Sequence, residues 1–168
     1  PALVLCPPPT AEIALVRIVA PGSDGSVQAR SAAAVYLDEV DIHLNPKIGS
    51  QWMPVGEQAT VETPGNNVKR HVAGSLAWNT GTLLVSTHAA KRNAELFVAH
   101  LDDLRRRLRG YRKIHVICDN APFHDCRRVR EYLQQWGHRI ELHFLPKYSP
   151  ETNPIERVWW HLHETITR

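Results

Sequence analysis

Three carboxylate side chains stand at places in the sequence where they could meet and bind a metal ion. Asp38 and Asp119 each follow a short apolar run of the kind that forms a buried strand, and Glu156 follows Asn153 and Pro154. Carboxylates held close together repel one another unless a cation lies between them. Because oxygen ligands favour hard ions, a convergence of the three acids predicts Mg²⁺ or Mn²⁺, and two such ions could support an in-line displacement at phosphorus.

Each acid also has an ordinary structural explanation. Asp38 could serve solubility at a strand end, since the acids Glu39 and Asp41 stand beside it. Asp119 could initiate a turn, because aspartate side chains accept hydrogen bonds from nearby backbone N–H groups. Glu156, at the third position of a helix, could cap that helix by accepting a hydrogen bond from its first residues. Taken singly, each acid is therefore ambiguous.

The segment Leu145–Leu162, LPKYSPETNPIERVWWHL, places three prolines immediately before Glu156. Asn153 suits the cap of a helix and Pro154 suits its first position, where the missing N–H would have had no partner. The two earlier prolines restrict the loop that leads into the helix. Ile155, Trp159, Leu162 and Ile166 have the spacing of a buried helix face, which favours packing over base stacking for the two tryptophans, Trp159 and Trp160. The segment thus predicts a fixed loop and a helix that begins near Glu156.

The remaining sequence predicts the elements that would hold these acids. Apolar runs predict strands in AAAVYLDEV through Leu37, in HVAGSLAW and TLLVSTH joined by a hairpin at residues 79–81, in KIHVICDN and in IELHFLP. Apolar residues at three- and four-residue spacing predict a helix capped by Asn93, a second capped by Asp125 and a third starting at Asn153. Because each helix must bury its apolar side, the order of elements predicts an α/β fold with a mixed sheet and helices on its faces.

Composition describes an ordinary globular chain. The 168 residues are 43% hydrophobic and 22% charged, and a net charge of +3 permits a polyanionic partner. No stretch is apolar enough to cross a bilayer and no secretory signal is recognisable, so we expect a cytoplasmic protein without a membrane partner. Residues 1–34, rich in alanine and proline, predict an arm or linker before a domain at residues 35–168.

Three motifs together resemble a known family. YLDE, ICDNAPFH and LPKYSPETNPIERVWWHL, in this order, resemble the acidic motifs of DDE transposases in the bacterial insertion-sequence branch of the mariner-like superfamily. The third motif is the most specific, and the resemblance runs from about residue 35 to the C-terminus. It implies an RNase H-like fold in which Asp38, Asp119 and Glu156 are the catalytic metal ligands for Mg²⁺ or Mn²⁺, with two ions expected.

The resemblance also implies an activity and partners. Such enzymes hydrolyse a phosphodiester at the end of a mobile element and then use the freed 3′-hydroxyl to attack target DNA. The expected partners are transposon ends and target DNA, with a dimer in the full-length family and the bacterial nucleoid as the place of action. Residues 1–34 could not build the helix-turn-helix domains that family members carry, so the chain resembles the catalytic domain alone.

Further residues are candidates for the surroundings of the metals or for DNA contacts. Asn120 and His124 match the second motif and would lie beside the metals or contact DNA. Arg127, Arg128 and Lys147 are candidate phosphate contacts.

Two other functions remain open at this point. An RNase H-like nuclease with another class of substrate would need the same acids. A domesticated, non-catalytic DNA-binding scaffold would keep the fold without needing any of them.

Overall fold

The computed structural model of the protein describes residues 15–17, 32–43, 45, 52–57, 60, 62, 65–66, 68–87, 91–147 and 149–166. The strands are β1 (Leu15–Arg17), β2 (Ala32–His43), β3 (Lys69–Ala77), β4 (Thr82–Ser86), β5 (Lys113–Cys118) and β6 (Ile140–Phe144). The α-helices are α1 (Ala94–Arg107), α2 (Arg127–Trp136) and α3 (Ile155–Ile166), and short 3₁₀ helices span Pro122–Asp125 and Pro150–Thr152. Within these residues, none of the helices has the length and apolar character of a bilayer span.

The strands form one mixed sheet in the order β1-β4-β3-β2-β5-β6. Strands β1 to β4 pair antiparallel, whereas β5 pairs parallel to both β2 and β6. The hairpin between β3 and β4 turns through Gly81, whose φ of 62° lies in the left-handed region that glycine adopts without strain. The predicted mixed sheet and hairpin are confirmed, and β2 is the strand at which the antiparallel and parallel parts meet.

Helices cover both faces of the sheet, as the sequence predicts. On one face α1 and α2 enclose the larger core, in which Phe97 and Leu101 pack against Val35 and Leu37 of β2. On the other face α3 packs Trp159 with other apolar residues of the sheet. Because successive residues of β2 point to opposite faces, one strand contributes to both cores.

The starts of two helices test the predicted caps. Asn93 caps α1 as predicted, because its side-chain oxygen accepts hydrogen bonds from the backbone N–H groups of Glu95 and Leu96 at 3.1 and 3.2 Å. The predicted cap Asp125 is wrong. The residue that precedes α2 is Cys126, without a side-chain capping bond, and Asp125 ends the 3₁₀ helix.

Strand β2 is longer than the sequence predicts. The prediction placed Asp38 at the end of a strand, but β2 pairs with β3 as far as His43 and Asp38 lies within it. The prediction fails because the acids that follow have partners. Glu39 faces His124 in the interior, and Asp41 accepts a hydrogen bond from His71 of β3 at 2.7 Å. Acidic residues with such partners do not have to end a strand.

The predicted N-terminal arm, residues 1–34, falls mostly outside the described residues. Two described pieces of it join the sheet: β1 pairs with β4, and β2 begins at Ala32. The domain boundary at residue 34 stays a prediction.

Gly74 of β3 lies directly under the indole ring of Trp159 in α3. A Cβ built at this position would stand 2.6 Å from Cζ2 of Trp159 and nearer still to its Cη2. Gly74 also pairs with Asp38 across the two strands. The missing side chain therefore makes room for the indole ring directly beside Asp38.

We expect Gly74→Ala to lower the free energy of unfolding by about 1 to 3 kcal/mol, since the added methyl group overpacks a site that the indole ring fills. The matched control is Gly110→Ala, where a Cβ meets nothing within 4 Å. Urea unfolding of both variants measures the difference. Equal stabilities for the two variants would contradict the close contact.

Candidate active site

The register of the sheet brings Asp38 and Asp119 side by side. The last parallel pair of β2 and β5 joins Tyr36 to Ile117, and each acid lies two residues further along its own strand direction. Neighbouring strands lie about 4.8 Å apart, and residues two apart share a face. The two acids therefore stand on adjacent backbones at the same end of their strands.

Trp159 of α3 fixes the position of the Asp38 carboxylate. Its Nε1 donates a hydrogen bond to Oδ2 of Asp38 at 3.1 Å, and the indole is buried over Gly74. The prediction that Trp159 packs in the core is confirmed. The ring also acts as a hydrogen-bond donor to a predicted metal ligand, a role that helical spacing does not reveal.

Asn153 ties the start of α3 to β2. Its side-chain N–H donates to the backbone oxygen of Leu37 at 3.2 Å, and its side-chain oxygen accepts from the N–H of Ile155 at 3.4 Å. Asn153 is only 4% exposed, so this link is protected from water. It caps the helix as predicted, and it also sets the distance from Glu156 in the first helical turn to Asp38, the residue after Leu37.

One cleft collects the three acids. Asp38, Asp119 and Glu156 all line it, together with Asn120 and Lys147. Burial, and after it the nearby charge of Glu156, raises the pKa of Asp38 to about 7. The structure therefore assembles the predicted convergence of carboxylates, and the repulsion that follows from it is visible at Asp38.

The buried histidine His124 holds the second acid. Its Nδ1 lies 2.9 Å from Oδ1 of Asp119, and its Nε2 lies 3.1 Å from Oε1 of Glu39. Burial lowers the pKa of His124, but its hydrogen bonds to Asp119, Cys118 and Glu39 outweigh that effect and raise the pKa far above its ordinary value. Both ring nitrogens face oxygen acceptors, so the imidazolium form fits the site.

The contact with His124 also changes the pKa of Asp119. The hydrogen bond from His124 lowers the pKa of Asp119, and a further hydrogen bond from the backbone N–H of Ala121, at 3.0 Å, acts in the same direction. The turn that Asp119 was expected to initiate is present as well, so its structural and candidate metal-binding roles coexist. His124 thus lies beside the acids, as the motif predicts.

Glu39 and Arg92 are additional residues of the site that sequence reasoning missed, and the prediction that Trp160 packs in the core is wrong, because its ring is exposed. Glu39 is 6% exposed and holds the far side of the His124 ring. Arg92 and Trp160 line a second depression that the three acids share, and Trp160 is 67% exposed. Arg92 could not be found from its own surroundings in the sequence, because only the folded chain brings its charge near Asp119.

The other candidate DNA contacts divide into two groups. Lys147 and Asn120 lie in the cleft, where the Asn120 side chain donates a hydrogen bond to the backbone oxygen of Leu145. Arg127 and Arg128 form ion pairs instead, with Glu131 and Glu95, on exposed parts of the surface. The structure brings only the first group together with the acids.

The donors of the cleft fit a divalent metal ion. They are carboxylate oxygens, which suit Mg²⁺ and Mn²⁺, and because burial and the charge of Glu156 raise the pKa of Asp38, a cation in the cleft would favour its ionised form. The three acids do not belong to any set of described residues whose ligand atoms all lie within 4.8 Å of one another. They therefore do not form a closed cage around a single ion.

Comparisons with known proteins match most of the chain. Residues 33–168 match a family model described as DDE superfamily endonuclease. The chain is 41% identical over 133 residues to the insertion element IS630 uncharacterized 39 kDa protein of Shigella sonnei, covering 79% of this chain and 38% of that protein. The chain thus spans less than half the length of this curated relative.

Solved structures of transposase complexes share the fold. The Mos1 transposase paired-end complex with left transposon end has a TM-score of 0.57 at 24% identity, covering 79% of this chain and 41% of that chain. A Mos1 mariner paired end complex with Mn has a TM-score of 0.57 at 23% identity, covering 80% of this chain and 42% of that chain. At these identities the likeness concerns the fold alone.

We expect Asp38→Asn to stabilise the metal-free protein at pH 8 by roughly 2 to 4 kcal/mol, because the amide removes a buried charge among acids while it can still accept the Trp159 hydrogen bond. The pKa of Asp38 is raised from 3.8 to about 7, so the parent loses stability from this group as the pH rises between those values. The difference in unfolding free energy between the variant and the parent should therefore grow from pH 3.8 to about pH 7 and stay constant above that.

Urea unfolding in the presence of a chelator, from pH 4 to pH 8, measures this difference. The control is Glu151→Gln, at an exposed position in the 3₁₀ helix before α3 that does not line the cleft. If the free energies of unfolding of the parent and of Asp38→Asn depended on pH in the same way, the charge of Asp38 would not destabilise the fold.

We expect Glu39→Ala to cost about 3 to 5 kcal/mol of unfolding free energy, since it leaves a buried imidazolium with one partner fewer. The matched control is Asp41→Ala, which breaks an acid–histidine pair from the same strand. In that pair the side chains are 32% and 17% exposed, against 3% and 0% for Glu39 and His124. The control should cost at most about 1 kcal/mol.

Chemical denaturation at pH 7 compares the two variants directly. Equal losses of unfolding free energy in the two variants would mean that burial does not make the Glu39–His124 pair more important for stability than the more exposed pair.

Proposed function

The chain belongs to the DDE superfamily of endonucleases and has the RNase H-like fold, and we propose on this premise that it is the catalytic part of a transposase. Its reaction would be the hydrolysis of a DNA phosphodiester followed by transfer of the freed strand end to target DNA. The observation that carries the proposal is the convergence of Asp38, Asp119 and Glu156 on one cleft in a chain with this family match.

We assign metal binding to the same three acids, with Mg²⁺ or Mn²⁺ as the ion and two ions expected. Ions of this kind supply stabilisation of the entering and leaving oxygens of an in-line displacement at phosphorus. The protein contributes the position of the ligands. Trp159 holds Asp38 through Nε1, His124 holds Asp119 through Nδ1, and Asn153 fixes the helix that carries Glu156. A solved neighbour is described as a paired end complex with Mn.

DNA is the proposed partner, both as the ends of the mobile element and as the target. Lys147 and Arg92 place positive charge at the two depressions that the acids share, where phosphate groups would approach. The exposed ring of Trp160 offers a surface on which an unpaired base can stack. Paired ends require two active sites, so we also propose a dimer of the full-length protein, acting at the bacterial nucleoid.

The alternatives account for less of the site. A non-catalytic scaffold would have no use for an Asp38 whose charge is disfavoured by burial and by the neighbouring Glu156. A nuclease with another substrate would use the same acids, but the 41% identity to a protein of an insertion element favours transposition.

We expect the parent chain to bind Mn²⁺ in a calorimetric titration, and Asp38→Ala, Asp119→Ala and Glu156→Ala each to lose most of that binding, because all three supply ligands to one site. Glu151→Gln, in the 3₁₀ helix that precedes α3 and outside the cleft, should bind as the parent does. Cleavage of DNA carrying the element's ends should fail in Asp119→Asn while circular dichroism shows an intact fold.

Two results would count against the proposal. Equal Mn²⁺ binding by the parent and all three alanine variants would show that the acids do not share a site. Cleavage retained by purified Asp119→Asn would show that the chemistry takes place elsewhere.

A further inference from the structure

A second group of potential metal ligands lies on the parallel strands β5 and β6, away from the cleft. It consists of His115 on β5 and Glu141 and His143 on β6. Among the described residues, it is the one set of three such side chains whose ligand atoms all lie within 4.8 Å of one another. None of the three lines either depression that the acids share.

The sheet explains why these side chains meet. Glu141 and His143 are two residues apart on one strand, so they project from the same face. His115 is the register partner of Glu141 on the neighbouring strand. The alternation of β5 buries Ile114 and Val116 under the helices and turns His115 to the other face. Two backbones that are already hydrogen-bonded to each other therefore hold all three ligands.

The distances match those of a metal site. Nδ1 of His115 lies 2.9 Å from Nε2 of His143 and 3.9 Å from Oε2 of Glu141, and Nε2 of His143 lies 3.8 Å from Oε1 of Glu141. A tetrahedral ion with bonds of about 2.0 to 2.1 Å spaces its ligand atoms about 3.3 to 3.4 Å apart. The observed separations lie on both sides of that value, so small rotations of the side chains would bring them to it.

We propose that His115, Glu141 and His143 form a binding site for Zn²⁺, separate from the acid cleft and beyond its proposed chemistry. Two imidazoles and one carboxylate suit Zn²⁺, whereas the oxygen-only cleft suits Mg²⁺ or Mn²⁺. Three protein ligands leave a fourth position for water. Since β6 is the last strand of the sheet, the ion would cross-link this edge strand to β5.

The same side chains also have partners of their own. His115 and His143 form a hydrogen bond with each other, and Lys113 lies 3.3 Å from Oε2 of Glu141. Lys113 has a second partner in the backbone oxygen of Gly137, at 2.9 Å. Glu141 can therefore turn toward an ion without leaving the lysine unpaired, and the ion would replace the proton shared by the two imidazoles.

Titration with Zn²⁺ of the purified chain, freed of metals and held in excess Mg²⁺, tests the site. We expect one equivalent to bind and to raise the melting temperature. His143→Ala and, separately, Glu141→Gln should weaken that binding by roughly tenfold or more, since each removes a ligand. His161→Ala, an exposed histidine of α3, should leave the binding unchanged.

Asp119→Asn separates this proposal from the proposed function. Zinc binding retained in Asp119→Asn but lost in His143→Ala would support a second site, whether or not the cleft is active. Loss of zinc binding in Asp119→Asn would place the ion in the cleft and overturn the proposal. A folded parent that binds no Zn²⁺, or a His143→Ala variant that binds it as the parent does, would overturn it as well.

Discussion

The cost of burying the Asp38 carboxylate close to Glu156 and Asp119 is the constraint that the contacts around the cleft have to balance. Asp119 is balanced within the protein, because the His124 imidazolium lies beside it and lowers its pKa. Asp38 receives neutral hydrogen bonds from Trp159 and from the backbone of Glu39, and burial together with the charge of Glu156 keeps its pKa raised. A cation in the cleft would therefore mainly favour the ionised form of Asp38, whereas His124 already favours the ionised form of Asp119.

The same contacts connect the fold to the site. Trp159 belongs to the core under α3 and also donates to Asp38, and Gly74 is the position in the sheet that makes room for it. Asn153 caps α3 and also bonds the backbone of β2. Glu39 stands in the strand next to Asp38 but faces the opposite side, where it holds His124. A change in packing on either face of the sheet would therefore alter the positions of the acids.

The sequence predicts what depends on local chemistry and misses what depends on distant partners. Apolar spacing and the Asn93 cap predict α1, and the motifs predict the three acids together with His124. The length of β2 is not predictable, because the acids after Asp38 look like a strand end until His124 and His71 supply partners. The bond from Asn153 to Leu37 crosses 116 positions of the chain, and no local pattern indicates it.

The place of Asp38 within a paired strand has a thermodynamic consequence. Its backbone is hydrogen-bonded to β3 on both sides of the acid, so its conformational entropy is lost when the chain folds and not when a ligand arrives. Asp119, directly after β5, is held in the same way by the turn and by His124. An incoming ion would meet ligands that are already ordered, and its affinity would not be reduced by the free energy of arranging them.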